Sequence, residues 1–95
     1  MKTPAVYIMT NKQLGTIYTG VTSNPVKRIY EHKNNITKGF TSRYGCHLLV
    51  YIEFHDDMSY AIEREKILKR MSRAEKIQII ESENPYWKDL YEMLL

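Results

Sequence analysis

The chain of 95 residues predicts a small α+β domain, with a three-stranded sheet that opens as an antiparallel hairpin and is flanked by helices. Three observations carry that prediction. Residues 4–9 and 17–21 are short runs rich in β-branched and aromatic side chains, separated by a turn-like stretch, as in two paired strands. The run Leu48–Phe54 is apolar and ends in the turn His55-Asp56-Asp57. Helix-opening signals then recur to the end of the chain, so the order strand, strand, helix, strand, helix, helix, helix points to helices layered on one sheet.

Taken in order, the first strand sorts Val6 and Ile8 to one face and Ala5, Tyr7 and Met9 to the other. Thr10 to Gly15 is a turn by its Asn11 and Gly15, and the second strand alternates Ile17, Thr19 and Val21 with Tyr18 and Gly20. Ser23 or Asn24 caps the first helix and Pro25 occupies its first position, with Val26, Ile29 and Tyr30 as the inward stripe. Arg28 and His32, four apart, fall together on an edge beside that stripe. Asn34 to Arg43 is polar and small and reads as a surface loop, whereas Leu48–Phe54 reads as the central or best-covered strand. Asp57 or Ser59 caps a helix whose face is Tyr60, Ala61, Ile67, Leu68 and Met71. Ser72-Arg73-Ala74-Glu75 has the capping-box form and starts the next one. Asn84-Pro85 repeats the cap-then-proline signal, predicting a short last helix with Trp87, Leu90 and Tyr91 inward.

This length supports one domain over 1–95 with a modest core, and leaves no room for a separate recognition domain. No apolar run approaches the roughly 20 residues of a membrane span, and the N-terminus lacks the form of a secretory signal. The lone Cys46 cannot form an internal disulfide, which points to a reducing cytoplasm. Net charge is only +3, but residues 1–50 carry seven basic side chains against the single acid Glu31, while the remainder carries seven basic and ten acidic ones. A front half of +6 facing a back half of −3 suits a polyanion-binding surface. Lys33, Lys38 and Arg43 are the candidate phosphate contacts, which would confer salt-dependent affinity without sequence choice. By pattern alone Tyr7 and Tyr18 are core residues, Arg28 pairs with Glu31, and His32 is a helix-surface histidine.

A longer set of residues changes that reading. Ala5-Val6-Tyr7 and Tyr18-Thr19-Gly20 stand about ten residues apart. They are followed by Gly20-Val21-Thr22-Ser23-Asn24, Lys27-Arg28, Glu31-His32-Lys33, Gly39-Phe40-Thr41, Leu49-Val50-Tyr51, Ala61 with Glu65, and Asn84-Pro85-Tyr86-Trp87-Lys88-Asp89-Leu90. In this order they make nearly the whole chain resemble the GIY-YIG nuclease superfamily, in particular its small single-domain bacterial members. Ala5, Val6 and Thr19 depart from the name motif, both tyrosines and Gly20 keep it, and Val21 stands where some relatives have a lysine.

The resemblance implies divalent-metal-dependent hydrolysis of phosphodiester bonds in DNA; with no second domain to choose a target, low sequence specificity, a preference for branched or single-stranded DNA, or a protein partner that supplies the address would follow. It implies Tyr7 beside the attacking water with Tyr18 bonded nearby. Arg28 would sit on the phosphoryl charge, His32 would handle protons, and Glu65 would hold one Mg²⁺ or Mn²⁺. On a helical wheel Glu65 lies at the rim of the apolar face beside Ala61 and Leu68, Arg64 lies nearer its middle, and Glu63 is the rival carboxylate. Two other readings stand beside the nuclease. One is a nucleic-acid-binding module on the same fold with weak or no catalysis; the other is a protein-interaction domain anchored by Tyr86 and Trp87.

Overall fold

The structure, a computed structural model, describes residues 3–36 and 39–95, so the candidate phosphate contact Lys38 lies outside the described residues. Strands β1 (Ala5–Thr10), β2 (Ile17–Thr22) and β3 (Leu48–Phe54) form one antiparallel sheet in the order β2-β1-β3. The helices are α1 (Pro25–Lys33), α2 (Phe40–Tyr44), α3 (Met58–Arg70) and α4 (Arg73–Glu83), and a 3-10 turn over Tyr91–Leu94 closes the chain.

The two faces of the sheet are both covered. Val6, Ile8 and Val50 pack with Ala61 and Leu68 of α3, Ile80 of α4 and Trp87. On the reverse face Tyr7, Met9 and Leu49 pack with Ile29 of α1 and Cys46. The predicted sorting of β1 side chains is therefore observed, and every residue of β1 is buried.

The central strand is β1, where the apolar run had pointed to β3. The reason lies in the C-terminal segment, which covers the outer edge of β3: Leu90 N–H donates to the Leu49 carbonyl at 2.7 Å, and Leu49 N–H donates to Asp89 Oδ1 at 3.2 Å. An edge sealed by hydrogen bonds from another segment needs none of the charged side chains that protect an open edge.

That segment is also where the expected last helix fails to form. Asn84 ends α4 as its C-cap, its N–H bonding the Ile80 carbonyl at 2.8 Å. Its side chain then staples the strand to the tail, donating to Val50 O at 3.1 Å and Lys88 O at 2.8 Å and accepting from Lys88 N at 3.0 Å. Trp87 has φ +57, a left-handed backbone that stops any helix there, and its buried indole donates to Glu81 at 2.8 Å. Asn84→Ala deletes three hydrogen bonds from a buried site, at about 1 kcal/mol each and more for a stranded partner. A loss of about 2–4 kcal/mol, seen as a lower urea midpoint at unchanged slope, is the expected outcome.

Three further expectations are corrected. The stretch read as a loop contains α2, set between Gly39 at φ +142 and Gly45 at φ +66, too short to show a helical period. In α1 the buried line is Pro25, Ile29 and His32, while Tyr30 is 51% exposed. The broad face expected for α3 narrows to Ala61 and Leu68, with Tyr60 and Ile67 exposed.

Candidate active site

The cluster forms where β1, β2 and α1 meet. Antiparallel register sets Tyr7 opposite Gly20 and Met9 opposite Tyr18, so both tyrosines project from the same face of the sheet. That face is the one α1 covers. Asn24 caps α1, its side chain accepting from Lys27 N, and Pro25 fixes its first turn. The helix so placed turns His32 inward against both tyrosine rings, each with its centroid 5.6 Å from the imidazole.

The hydroxyl of Tyr7 lies 2.8 Å from His32 Nε2, and His32 Nδ1 lies 2.8 Å from the Thr41 hydroxyl. Tyr7, His32 and Thr41 are all buried, so each of these contacts is made away from bulk water. Gly20 makes room for the phenol: a Cβ there would stand 2.5 Å from the Tyr7 hydroxyl oxygen. Arg28 reaches the same place, its charge acting on Tyr7, Tyr18 and His32, and it bonds Glu31 at 3.4 Å.

These neighbours set the protonation states. Burial, with Tyr18 alongside, pushes the Tyr7 phenol well above its ordinary value, and Arg28 offsets this only in part. Burial and then the Arg28 charge push His32 down to about 4, against a smaller opposing effect from Glu31. At neutral pH the imidazole is therefore uncharged, with one nitrogen a donor and the other an acceptor.

The same shift makes stability depend on pH. The folded value of about 4 lies below the ordinary 6.5, so the unfolded chain binds the proton more readily. Stability is complete above about pH 6.5 and falls as the pH drops toward 4. The loss is on the order of 3 kcal/mol. Denaturant midpoints measured between pH 7 and 4 should show it, and the slope should flatten in His32→Gln.

Glu65 sits on the other helical layer. Ala61 and Leu68 seat α3 on the sheet, and Arg64 reaches to β3, where its Nε donates to Glu53 at 2.9 Å. One residue further round the helix, Glu65 falls on the flank of that seat opposite Arg64. Its side chain is 15% exposed and pairs with Lys69 at 3.1 Å, whereas the rival Glu63 is 71% exposed. The set Glu53, Tyr51, His55 and Arg64 was not foreseen. Its hydrogen bonds and the Arg64 charge, working against burial, hold Glu53 below the usual carboxylate range and fix the rotation of α3.

No cluster of three or more His, Cys, Asp or Glu side chains that could enclose a metal occurs among the described residues. Glu65 alone is a hard oxygen donor of the kind Mg²⁺ accepts with water completing its shell. Separately, the Thr19 hydroxyl is buried on the α3-facing side of β2 and has no hydrogen-bond partner among the described residues. Both Glu65, on α3, and Thr19 belong to the α3 side of the sheet, whereas Tyr7 of β1 and Ile29 of α1 pack on the reverse face.

Of the predicted phosphate contacts, Lys33 is engaged within the fold, paired with Asp89 and donating to the His47 carbonyl at 2.9 Å. Arg43 is exposed, with its guanidinium 5.9 Å from the Tyr44 ring centre. Thr41 escaped identification as a site residue, although Gly39-Phe40-Thr41 stood among the motif residues; what the sequence did not carry was its contact with His32.

Fold and cluster together define a small α+β domain whose hairpin and first helix converge on a tyrosine–histidine–arginine constellation. The chain belongs to the GIY-YIG family: the family model described as the GIY-YIG catalytic domain matches residues 3–78. Among relatives, a UPF0213 protein of Clostridium perfringens is 38% identical over 79 residues, covering 83% of this chain and 84% of that protein. A UPF0213 protein of Syntrophus aciditrophicus is 41% identical over 71 residues, 74% of this chain and 80% of that one. The solution NMR structure of a UPF0213 protein from Bacillus halodurans shares the fold, with a TM-score of 0.57 at 24% identity over 95% of each chain. Tyr7, Tyr18, Arg28, His32 and Glu65 all lie within the matched span.

Proposed function

We propose that this protein is a divalent-metal-dependent endonuclease that hydrolyses phosphodiester bonds in DNA, with little sequence preference. The observation that carries this reading is the buried Tyr7–His32–Thr41 chain beside Arg28. A phenol held above its ordinary value will not ionise in advance to act as a base. It can take a proton from the attacking water only while passing its own to His32 Nε2. That requires the tautomer in which Nδ1–H donates to Thr41, a direction that the Thr41 hydroxyl, donor and acceptor alike, accommodates at its 2.8 Å contact.

Arg28 serves twice in this scheme. Its planar guanidinium matches the phosphoryl oxygens, and a bound phosphate would offset the charge that depresses His32, raising its basicity when substrate is present. Glu65 would hold the cation, which when bound draws charge from the phosphoryl oxygens. No helix is long and apolar enough to cross a membrane among the described residues, and a cytoplasmic enzyme working on DNA is the setting proposed.

The test is a cleavage assay on plasmid, single-stranded and branched DNA with Mg²⁺ or Mn²⁺. Wild type is compared with Arg28→Ala and Glu65→Gln proteins of confirmed fold. Cleavage that requires metal and drops by about 10² or more in Arg28→Ala, with DNA binding retained in Glu65→Gln, is the expected result. Salt-dependent binding by wild type with no cleavage under either metal would replace the nuclease by a binding module on the same fold.

A further inference from the structure

We infer that α2 carries a nucleobase-stacking subsite, built by Phe40 and Tyr44, which holds an unpaired base of the substrate strand next to the Tyr7–His32 centre. The inference rests on the nucleic-acid reading of that centre and names the substrate class it takes, a strand with at least one base out of the duplex. Four observations support it.

A row of rings leads outward from the centre. His32 packs edge-on against Tyr18 at 5.6 Å, Tyr18 stacks on Phe40 at 5.7 Å with planes 30° apart, and Phe40 meets Tyr44 at 4.6 Å. The outer two rings are open to solvent, Phe40 at 42% and Tyr44 at 46% exposed. They lie four residues apart on one face of α2 and border an open cleft lined by Gly39, Phe40, Ser42, Arg43 and Tyr44.

The surroundings favour a polyanion over an apolar protein partner. No acid occurs in the sequence between Glu31 and Glu53, and Arg43 stands on α2 itself. Arg43 lies against the Tyr44 ring, within reach of a phosphate next to a base stacked there. Aromatic rings interleaved with cations along a groove are the usual means of holding single strands, because every base offers a π-face.

The geometry of α2 is also fixed independently of ligand. Gly39 adopts φ +142, open only to glycine, and its backbone exchanges hydrogen bonds with the Ser42 hydroxyl. Thr41, on the same short helix, is tied to His32. A base seated on Phe40 and Tyr44 is thereby held at a set distance from the reacting centre.

The experiment uses the wild-type protein in EDTA, which permits binding without cleavage, and an oligodeoxynucleotide containing 2-aminopurine at successive positions. Stacking on wild type should quench 2-aminopurine at one or two positions. Phe40→Ala and Tyr44→Ala should each lose about tenfold in affinity, abolish the quench, and leave the salt dependence unchanged. Arg43→Ala should instead lower the slope of log K against log salt by about 0.7. Tyr44→Phe should keep the quench.

Fully paired duplex bound as tightly as the single strand with no quench overturns the inference. So does equal affinity of wild type and both alanine variants for normal and abasic strands, and the exposed pair then belongs to a protein contact. Failure of the nucleic-acid reading on which the inference rests looks different: wild type would bind no nucleic acid of any form, and Arg43→Ala would have no salt slope to change.

Discussion

Tyr7→Phe should fold and should cut DNA slower by about 10²–10⁴, the range a positioned proton acceptor contributes. The ring stays in the buried layer with Met9, Ile29 and Leu49, so packing is conserved. What is lost is one hydroxyl and its 2.8 Å contact with His32 Nε2. The stability cost should be about 1–2 kcal/mol, since one buried hydrogen bond is broken and an imidazole nitrogen is left without its partner. Single-turnover cleavage at saturating metal, set beside the urea midpoint, separates the two effects. A variant that loses activity in proportion to stability would mark Tyr7 as a core residue. One that loses at least 10² in rate with a small midpoint change would support a role at the reacting atoms. The pH profile should change as well: wild type should lose rate in acid as His32 acquires its proton, and Tyr7→Phe should be flat there because the acceptor has been disconnected.

The residues involved also explain what the sequence could and could not convey. Tyr7 and Tyr18 were placed correctly because strand alternation is local and Gly20 punctuates the second strand. Val6 and Ile8 were sorted to one face for the same reason. His32 was read on the edge of α1, since a wheel that favours Val26 and Tyr30 as buried leaves no place inside for a polar ring. Its burial depends on Tyr7, 25 residues away, and on Thr41 in a helix too short to announce itself. Long-range satisfaction of a polar group leaves no mark on helical periodicity.

The C-terminal end shows a different difficulty. Asn84-Pro85 is a good signal for a chain reversal at a helix end, but the pair does not say which end. Asparagine can cap either terminus, and here its amide is used on Val50 and Lys88 across the edge of β3. The edge of β3 is covered by the same segment through Leu90 and Asp89, both bonded to Leu49. A strand sealed by a distant segment has the composition of a central one. Motif position favours Glu65 over Glu63, and in the structure Glu65 is the less exposed of the two, paired with Lys69.

Gly20→Ala should have the largest combined effect of any single-methyl change in the site. An added Cβ would lie 2.5 Å from both Cζ and the hydroxyl oxygen of Tyr7 and 3.0 Å from Cε2 of Tyr18. The Tyr7 ring is 1% exposed and hemmed in by Met9, Ile29 and Leu49, so it cannot swing into solvent to relieve the overlap. Either β2 moves away from β1 or the phenol shifts along the sheet, and overpacking of this kind costs about 1–3 kcal/mol. A shift of the phenol carries the Tyr7 hydroxyl off His32 Nε2, and a displacement near 1 Å at a reacting group costs on the order of 10² in rate. Cleavage should therefore fall at least as far as stability alone would dictate, and further at temperatures well below the unfolding midpoint. The His32 ring offers a direct readout: burial and the Arg28 charge push it down to about 4, and its C–H titration should move toward the ordinary 6.5 if the displacement lets water reach the ring. Wild-type cleavage by Gly20→Ala, with an unchanged His32 titration, would show that the close approach of Tyr7 to β2 plays no part in the reaction.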